Sequence, residues 1–397
     1  MTTIEILADD AEIRGAHGIF RTAMVGLPPL PSDAEGLWEP GRVLGARIDG
    51  ELVGTANSYT SWLAVPGGER IAHAAVTHVG VLPTHTRRGV VTALLRHQLA
   101  DFAARGEIVA TLRASQGGIY ERFGYGVATA MARAELDPRR ARLRDTVPAS
   151  GPVRFLDLDV VWESLAKIYA AQILSRPGAI GRSQYWWRLQ ELTHASPGYV
   201  VAHGLPGSED GFARYRPRDT TDWPRSPHRT IVVDDLVAAT PRAQAGLVRH
   251  LLSIDVADTI VFPTVAPDFP LRHLLTDERA TTLSAIRDET WLRLIDVLAA
   301  LRRRTYRPGS ELVLAVTDPI RTANSGAYRI SAESVTRTTE TADLTTDIAA
   351  LSAAYLGGTS WRHLALAGRV RGGDPEAVAR ADELFGVGEA PFSGTWF

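Results

Sequence analysis

HVGVLPTHTRRGVV, residues 78 to 91, is the stretch where a strand gives way to a helix. Upstream, Ile71 to Val81 reads as a long apolar strand closed by Leu82-Pro83. Downstream, Val91, Leu94, Leu95, Leu99 and Phe102 recur at three and four and line one helical face. A helix start frees backbone N–H groups, and with the helix dipole behind them they form an anion site. Arg87 and Arg88 add permanent positive charge there, while Gly89 lets the backbone approach a bulky anion. Solvated arginines capping a helix are the plainer reading of the same residues. The Gly-rich run and terminal Lys-Ser/Thr of a nucleoside-triphosphate loop are both missing.

Working outward, residues 10 to 26 are spaced as a helix that the Pro-rich segment Leu27 to Ser32 stops. Val43–Ile48 and Leu52–Tyr59 flank Asp49-Gly50, a hairpin signature. After the helix that Gly106 ends, Ile108–Leu112 reads as a buried strand, and a strand pair is expected from about Gly126 to Leu136. The Arg/Pro-rich segment 137–150 reads as a linker, which bounds a first domain at 1–150.

The middle region, 151–288, repeats the rhythm more weakly. Helices are expected at Trp162–Leu174 and Ser183–Leu192, strands at Tyr199–His203, Gly211–Tyr215 and Thr230–Ala238, and an amphipathic helix at Arg242–Ser253 behind the cap Thr240 and Pro241. It has no counterpart of the glycine–arginine turn. The last region, 289–397, opens on Trp291, Leu292, Leu294, Ile295, Val297, Leu298 and Leu301, strand-like at its start and helical at its end. Strands at Glu311–Val316 and Ala327–Ile330 and helices near Leu344–Leu356 and Pro375–Leu384 follow, before an irregular tail, Gly388–Phe397.

Composition removes several classes of function. The 397 residues exceed one ordinary domain and suit two or three. With 43 basic against 45 acidic residues the net charge is -2, so no nucleic-acid partner is expected. Lys167 is the only lysine, and cysteine is absent, which excludes disulfides, thiolate nucleophiles and cysteine-held metals. Among the histidines, His73, His78, His85 and His97 make no metal-ligand spacing, and no metal is expected. Acidic residues within Met1–Glu12 speak against a signal peptide, and no apolar run approaches about 18 residues, so no membrane span and a cytoplasmic location are expected.

A second segment, SQGGIYERFGYG from Ser115 to Gly126, carries the remaining chemistry. The loop at 83–91 resembles the coenzyme A pyrophosphate loop of Gcn5-related N-acetyltransferases, Gln/Arg-x-x-Gly-x-Gly/Ala. Gly89 matches its first glycine; Thr86 and Val91 depart from it. Tyr120 stands where that family has a tyrosine in a Tyr-x-x-Phe/Leu-Gly-Phe/Tyr sequence, beside the thioester, as general acid. Such an acid is needed because the departing thiolate of acetyl-CoA must be protonated. A buried packing role is the alternative for Tyr120, and Tyr125 reads as core.

The whole chain resembles the Eis (enhanced intracellular survival) family: PTHTRRG at 83–89, ASQGGIYERFGYG at 114–126, WLRLIDV at 291–297 and YLGG at 355–358 match in order and spacing. The resemblance implies an α/β chain of two tandem Gcn5-related acetyltransferase folds, the second without the cofactor motif, followed by a sterol-carrier-protein-like α+β domain. It implies an acetyl-CoA co-substrate held by Val79, Gly80, Val81, Arg87, Arg88, Gly89, Val90, Val91, Ser115 and Ile119, with an amide near Val81 polarising the thioester. It also implies that a terminal carboxylate, here that of Phe397, enters the site as general base, and that six chains assemble as a trimer of dimers.

The small-molecule acceptor is an amine expected to meet Trp38, His78, Arg113 and Trp396. Family members that acetylate aminoglycosides use acidic groups to draw in a polycation. Here Trp396, Arg113 and Ala23 replace an acidic residue, a histidine and an aspartate; Asp33, Glu35 and Glu39 remain as acidic candidates at the mouth, or as ordinary surface. An aminoglycoside or related amine, a less charged or aromatic natural-product amine, and protein lysine stay open. So does a non-catalytic small-ligand carrier.

Overall fold

The computed structural model describes residues 2–31, 34–172, 176–194, 196–372 and 375–397. Ser32, Asp33 and Leu174, which figure in the sequence reading, lie outside them. The chain forms two compact units, one of residues 1–129, 175–189 and 288–397, the other of 130–174 and 190–287.

The first unit begins with β1 (Thr2–Ile6), α1 (Asp10–Met24), β2 (Leu44–Ile48), β3 (Glu51–Ala64), β4 (Arg70–Val81), α2 (Val90–Ala104), β5 (Val109–Leu112) and β6 (Gly126–Val127). The Asp9 carboxylate accepts from the N–H groups of Ala11 and Glu12 and so starts α1. Asp49 and Gly50 both take positive φ, 51° and 86°, the turn whose twist suits the β2–β3 hairpin. Leu94, Leu95, Leu99 and Phe102, the expected face of α2, are buried.

The chain continues with β7 (Ala130–Leu136), β8 (Val153–Phe155), α3 (Val161–Ala171), α4 (Gln184–Thr193), β9 (Tyr199–His203), β10 (Gly211–Pro217), β11 (Thr230–Ala238), α5 (Pro241–Leu252), β12 (Thr259–Val265), α6 (Leu271–Leu274) and β13 (Thr281–Asp288). Thr240 caps α5 by accepting from the Ala243 N–H, as its position before Pro241 suggested. The last part supplies β14 (Trp291–Leu294), α7 (Val297–Arg303), β15 (Leu312–Thr317), β16 (Gly326–Ile330), β17 (Val335–Thr338), β18 (Leu344–Asp347), α8 (Ile348–Ala354), α9 (Trp361–Leu366), β19 (Val370–Arg371) and α10 (Pro375–Phe385).

Three sheets result among the described residues, ordered β1-β2-β3-β4-β5-β14-β6, β13-β7-β12-β11-β10-β9-β8 and β17-β16-β15-β18-β19. Two expectations are corrected by this pairing. The strands at 126–136 do not pair with each other: β6 stays in the first sheet, while β7 runs antiparallel to β12 in the second. The strand-like start of the Trp291 run is β14, which lies antiparallel between β5 and β6 in the first sheet. Apolar alternation marks a strand but carries no label for its partner. A third correction concerns Leu344–Leu356, whose first residues form β18, parallel to β15, before α8 begins behind the Asp347 cap.

In the first unit, Leu292 and Leu294 of β14 join Leu63, Ile71 and Val109 and residues of α7, α8 and β15 in one buried apolar cluster. The second unit has its own, built on Ala134, Val201, Ile231, Leu247 and Phe262.

Candidate active site

β4 and β5 are parallel and pair over His73–Ala75 and Val109–Thr111, after which they diverge. The separation leaves the Val76–Val81 segment with a backbone edge open toward β5. On its other side β4 pairs with β3, and the register slips so that His78 and Val79 together face Ala56, a β-bulge. His78 takes φ 50° there, a conformation that L residues adopt at a cost and that is concentrated at functional sites. Gly80 cannot be larger: a Cβ would lie 2.9 Å from the Phe20 Cα, because α1 crosses β4 at this point.

Beyond Val81, Pro83–His85 make one 3-10 turn and the Thr86 hydroxyl donates to the Pro83 carbonyl at 3.1 Å. Arg87 and Gly89 both have positive φ, 62° and 81°, and Gly89 caps α2 with open space where a Cβ would stand. The loop therefore ends in a helix start whose first N–H groups have no partner within the helix and no side-chain cap. Arg87 and Arg88 are exposed, and no carboxylate among the described residues pairs with either. Val90 is buried under β3, where Gly54 gives it room: a Cβ there would meet its Cγ1 at 2.8 Å.

Tyr120 is 6% exposed. It shares an apolar cluster with Val76, Leu95, Leu99, Leu112 and Trp291, against which Val79, Val91 and Ile119 also pack. Four of the expected site residues, Val79, Val91, Ile119 and Tyr120, thus meet on β4, α2 and the 115–120 segment, while Ser115 is exposed on the surface of that segment. Burial pushes the Tyr120 phenol up to about 12, and no protein group among the described residues bonds to its hydroxyl. The motif glycines that follow are dictated by packing. A Cβ on Gly124, at φ 85°, would lie 2.6 Å from the Arg293 Nε, and one on Gly126 2.1 Å from the Ala349 carbonyl oxygen of α8.

The α1 side of the bulge is an aromatic box. The His78 ring lies 5.1 Å from His17, 4.8 Å from Phe20 and 5.7 Å from Trp38, centroid to centroid. Burial, reinforced for His17 by the positive charge of Arg21, lowers the His17 imidazole to about 4 and the His78 imidazole to about 3, so both are neutral near pH 7. Glu39 is committed to structure, accepting from the Thr60 N–H at 2.6 Å; Glu35 is exposed.

Arg113, expected among the substrate contacts, lies where the C-terminal tail meets the end of β5. Its guanidinium is nearly buried and paired at 2.8 Å with Glu289, whose side chain is wholly buried, so its charge is neutralised inside the protein. Its Nε–H donates to the Thr395 carbonyl at 2.9 Å, and its plane covers the Trp396 ring at 4.2 Å. Glu289 also accepts from the Ser393 N–H at 2.9 Å, the Gly394 N–H at 2.8 Å and the Thr129 hydroxyl at 2.8 Å. Arg182 donates to the Thr395 hydroxyl at 3.1 Å, and the Trp186 indole N–H to the Trp396 carbonyl. Trp396 is 52% exposed, and Phe397 packs half-buried on the apolar cluster that contains Leu63 and Ile180. Sequence reasoning missed Glu289, Arg182 and Trp186, since no spacing links them to residues 393–396.

An acetyltransferase (GNAT) domain model matches residues 6–128, a second such model matches 178–294, and a sterol carrier protein domain model matches 297–394. The structure of Eis1 from Mycobacterium abscessus superposes with a TM-score of 0.93 at 49% identity over all of both chains. An uncharacterized N-acetyltransferase of Streptomyces coelicolor is 37% identical, covering 90% of this chain and 87% of its own. The N-acetyltransferase Eis of Mycobacterium tuberculosis is 34% identical, covering 86% and 85%.

Proposed function

The chain belongs to the Eis family of Gcn5-related N-acetyltransferases, and from that premise we propose that it transfers the acetyl group of acetyl-CoA directly to the amine of an aminoglycoside or related small molecule. The observation that carries the reading is the divergence of β4 and β5 beside a buried tyrosine whose hydroxyl no protein group among the described residues occupies. Acetyl-CoA suits the residues present: the free N–H groups of a helix start and two arginines with no carboxylate partner among the described residues for its phosphates, an open strand edge at Val79–Val81 for its extended arm, and Tyr120 at the far end. When bound, it supplies an activated thioester.

In this reading the Val90 and Val91 amides, with Arg87 and Arg88, bind the pyrophosphate, and the β4 edge orients the arm, with Ser115 and Ile119 flanking it. An amide near Val81 polarises the carbonyl. Tyr120 gives its proton to the leaving sulfur, and the terminal carboxylate of Phe397 takes the proton of the attacking amine. His78, Trp38 and Trp396 contact the acceptor. The neutral aromatic box of His17, Phe20, Trp38 and His78 favours a second reading, a less charged or aromatic amine. Because Arg113 is paired with Glu289, its charge does not argue against a polycation.

Assembly of six chains as a trimer of dimers and a cytoplasmic location belong to the same proposal and rest on the family likeness. No helix among the described residues is long and apolar enough to cross a membrane.

The test is thiol release from acetyl-CoA with kanamycin, spermidine, tyramine and a lysine peptide, each with the native chain and with one extended by Gly-Ser after Phe397. Turnover of kanamycin, lost on extension, supports the first reading; a preference for tyramine moves the acceptor to the second. No turnover with any of the four overturns both.

A further inference from the structure

Glu289 is a buried carboxylate with four donors, two on each oxygen: Arg113 and the Gly394 N–H on Oε1, the Thr129 hydroxyl and the Ser393 N–H on Oε2. A carboxylate has about four lone-pair positions, so its accepting capacity is filled. Burying such a group is costly unless every position is met, and half of these donors belong to the backbone of the tail. The tail is therefore held as a ligand would be, by main-chain groups whose identity does not depend on side chains.

The place of this anchor matters. Arg113 is the first residue after β5, where β5 has left β4, and it begins the segment that leads to Tyr120. On the other side Glu289 precedes Trp291, whose ring packs in the cluster that contains Tyr120. Arg113 closes the arrangement by donating to the Thr395 carbonyl while pairing with Glu289. One ion pair thus ties residues 393–395 to the strand end beside the proposed acid.

We propose that Glu289 is a positioning residue for acetyl transfer: through Ser393, Gly394 and Arg113 it sets where the two terminal residues reach, and it acts on the reaction only through them. This rests on the reading that the carboxylate of Phe397 takes the amine proton. Glu289 touches neither substrate, and its contribution is the geometry of the tail.

The test uses Glu289→Gln, whose amide would turn its own N–H groups toward two of the four donors. Expected are a kcat lower by about 10- to 100-fold, a KM for acetyl-CoA within about twofold, and about 10-fold faster release of Phe397 by carboxypeptidase A. Glu289→Gln combined with the Gly-Ser extension should be no slower than the extension alone, since both act on one group. Multiplying losses in the double variant, or a Glu289→Gln protein with unchanged kcat and unchanged Phe397 release, overturns the proposal and leaves the reading of the base intact. An extended protein as active as the native one, or no turnover with any of the four amines, overturns the reading and the proposal with it. Should Glu289→Gln not fold, Ser393→Pro removes one of the same bonds from within the tail and is judged by the same outcomes.

Discussion

The Nε–H of Arg293 donates to the Phe123 carbonyl at 2.8 Å, so a side chain on β14 holds the turn that begins at Tyr120. The same guanidinium donates to the Leu294 carbonyl at 2.7 Å and to Asp318 at 2.7 Å, with both side chains fully buried. Burial pulls the Arg293 pKa down, and Asp318 opposes that pull.

Replacing this arginine would leave Asp318 buried without its counter-charge. Arg293→Met is expected to destabilise the first unit by about 3–5 kcal/mol and to lower acetyl transfer as the 120–124 turn loosens. The urea midpoint of that unit's unfolding checks the first, and thiol release the second; an unmoved midpoint would count against the structural role.

Tyr120→Phe keeps the ring in its cluster and removes the proton. A kcat lower by at least about 100-fold with little change in acetyl-CoA affinity is expected. Because the phenol sits at about 12, the wild-type acid keeps its proton through the neutral and mildly alkaline range. The kcat profile should therefore show no alkaline loss from this group at pH 9 or 10, and a fall centred near 9 that vanishes in Tyr120→Phe would contradict the raised phenol value.

His17 and His78 predict the acid side of the stability curve. Their folded values, about 4 and about 3, lie below the ordinary imidazole value near 6.5, so the unfolded chain binds more protons between those limits. Their contribution is present above pH 6.5 and is lost as pH falls toward 4 and then 3. His78→Phe should flatten the decline in Tm between pH 6.5 and 4; an unchanged slope would remove His78 from the cause.

Most of the first sheet and the strand-to-helix turn of the candidate site were legible in sequence because local rules determine them. The Asp49-Gly50 hairpin, the period of α2 and the strand-to-helix turn at 81–90 each depend on neighbours in the chain. What was illegible depends on partners more than a hundred residues away. Nothing near Arg113 announces Glu289, and a lone arginine reads as surface or substrate contact until its counter-ion is in place. The same holds for β7 and β14, whose apolar patterns are plain and whose partners are not.

Gly126 gives a steric prediction. Its missing Cβ would lie 2.1 Å from a carbonyl oxygen of α8, a backbone atom that no rotamer change can move. Gly126→Ala should cost about 3 kcal/mol or more, seen as a Tm several degrees lower. Gly15→Ala in α1, where nothing stands within 4 Å, should not lower Tm and serves as the control.

Arg87 and Arg88 together should govern affinity for the phosphate end of the co-substrate. The double change to Ala is expected to raise the KM for acetyl-CoA by about 10-fold or more and to flatten its dependence on salt, with kcat at saturation nearly unchanged. A loss in kcat alone would place these residues elsewhere.

The position of β14 between β5 and β6 has a consequence for biosynthesis. β5 ends at Leu112 and β14 begins at Trp291, 291 − 112 = 179 positions later. At about 5–20 residues per second, a ribosome needs roughly 9–36 s to cover that distance. For that interval the emerging N-terminal sheet has β5 and β6 without the strand that joins them, an unpaired edge of the kind that attracts other chains. Release from the ribosome of a fragment ending near residue 150 would make that interval permanent, and such a fragment is expected to aggregate or to need a chaperone.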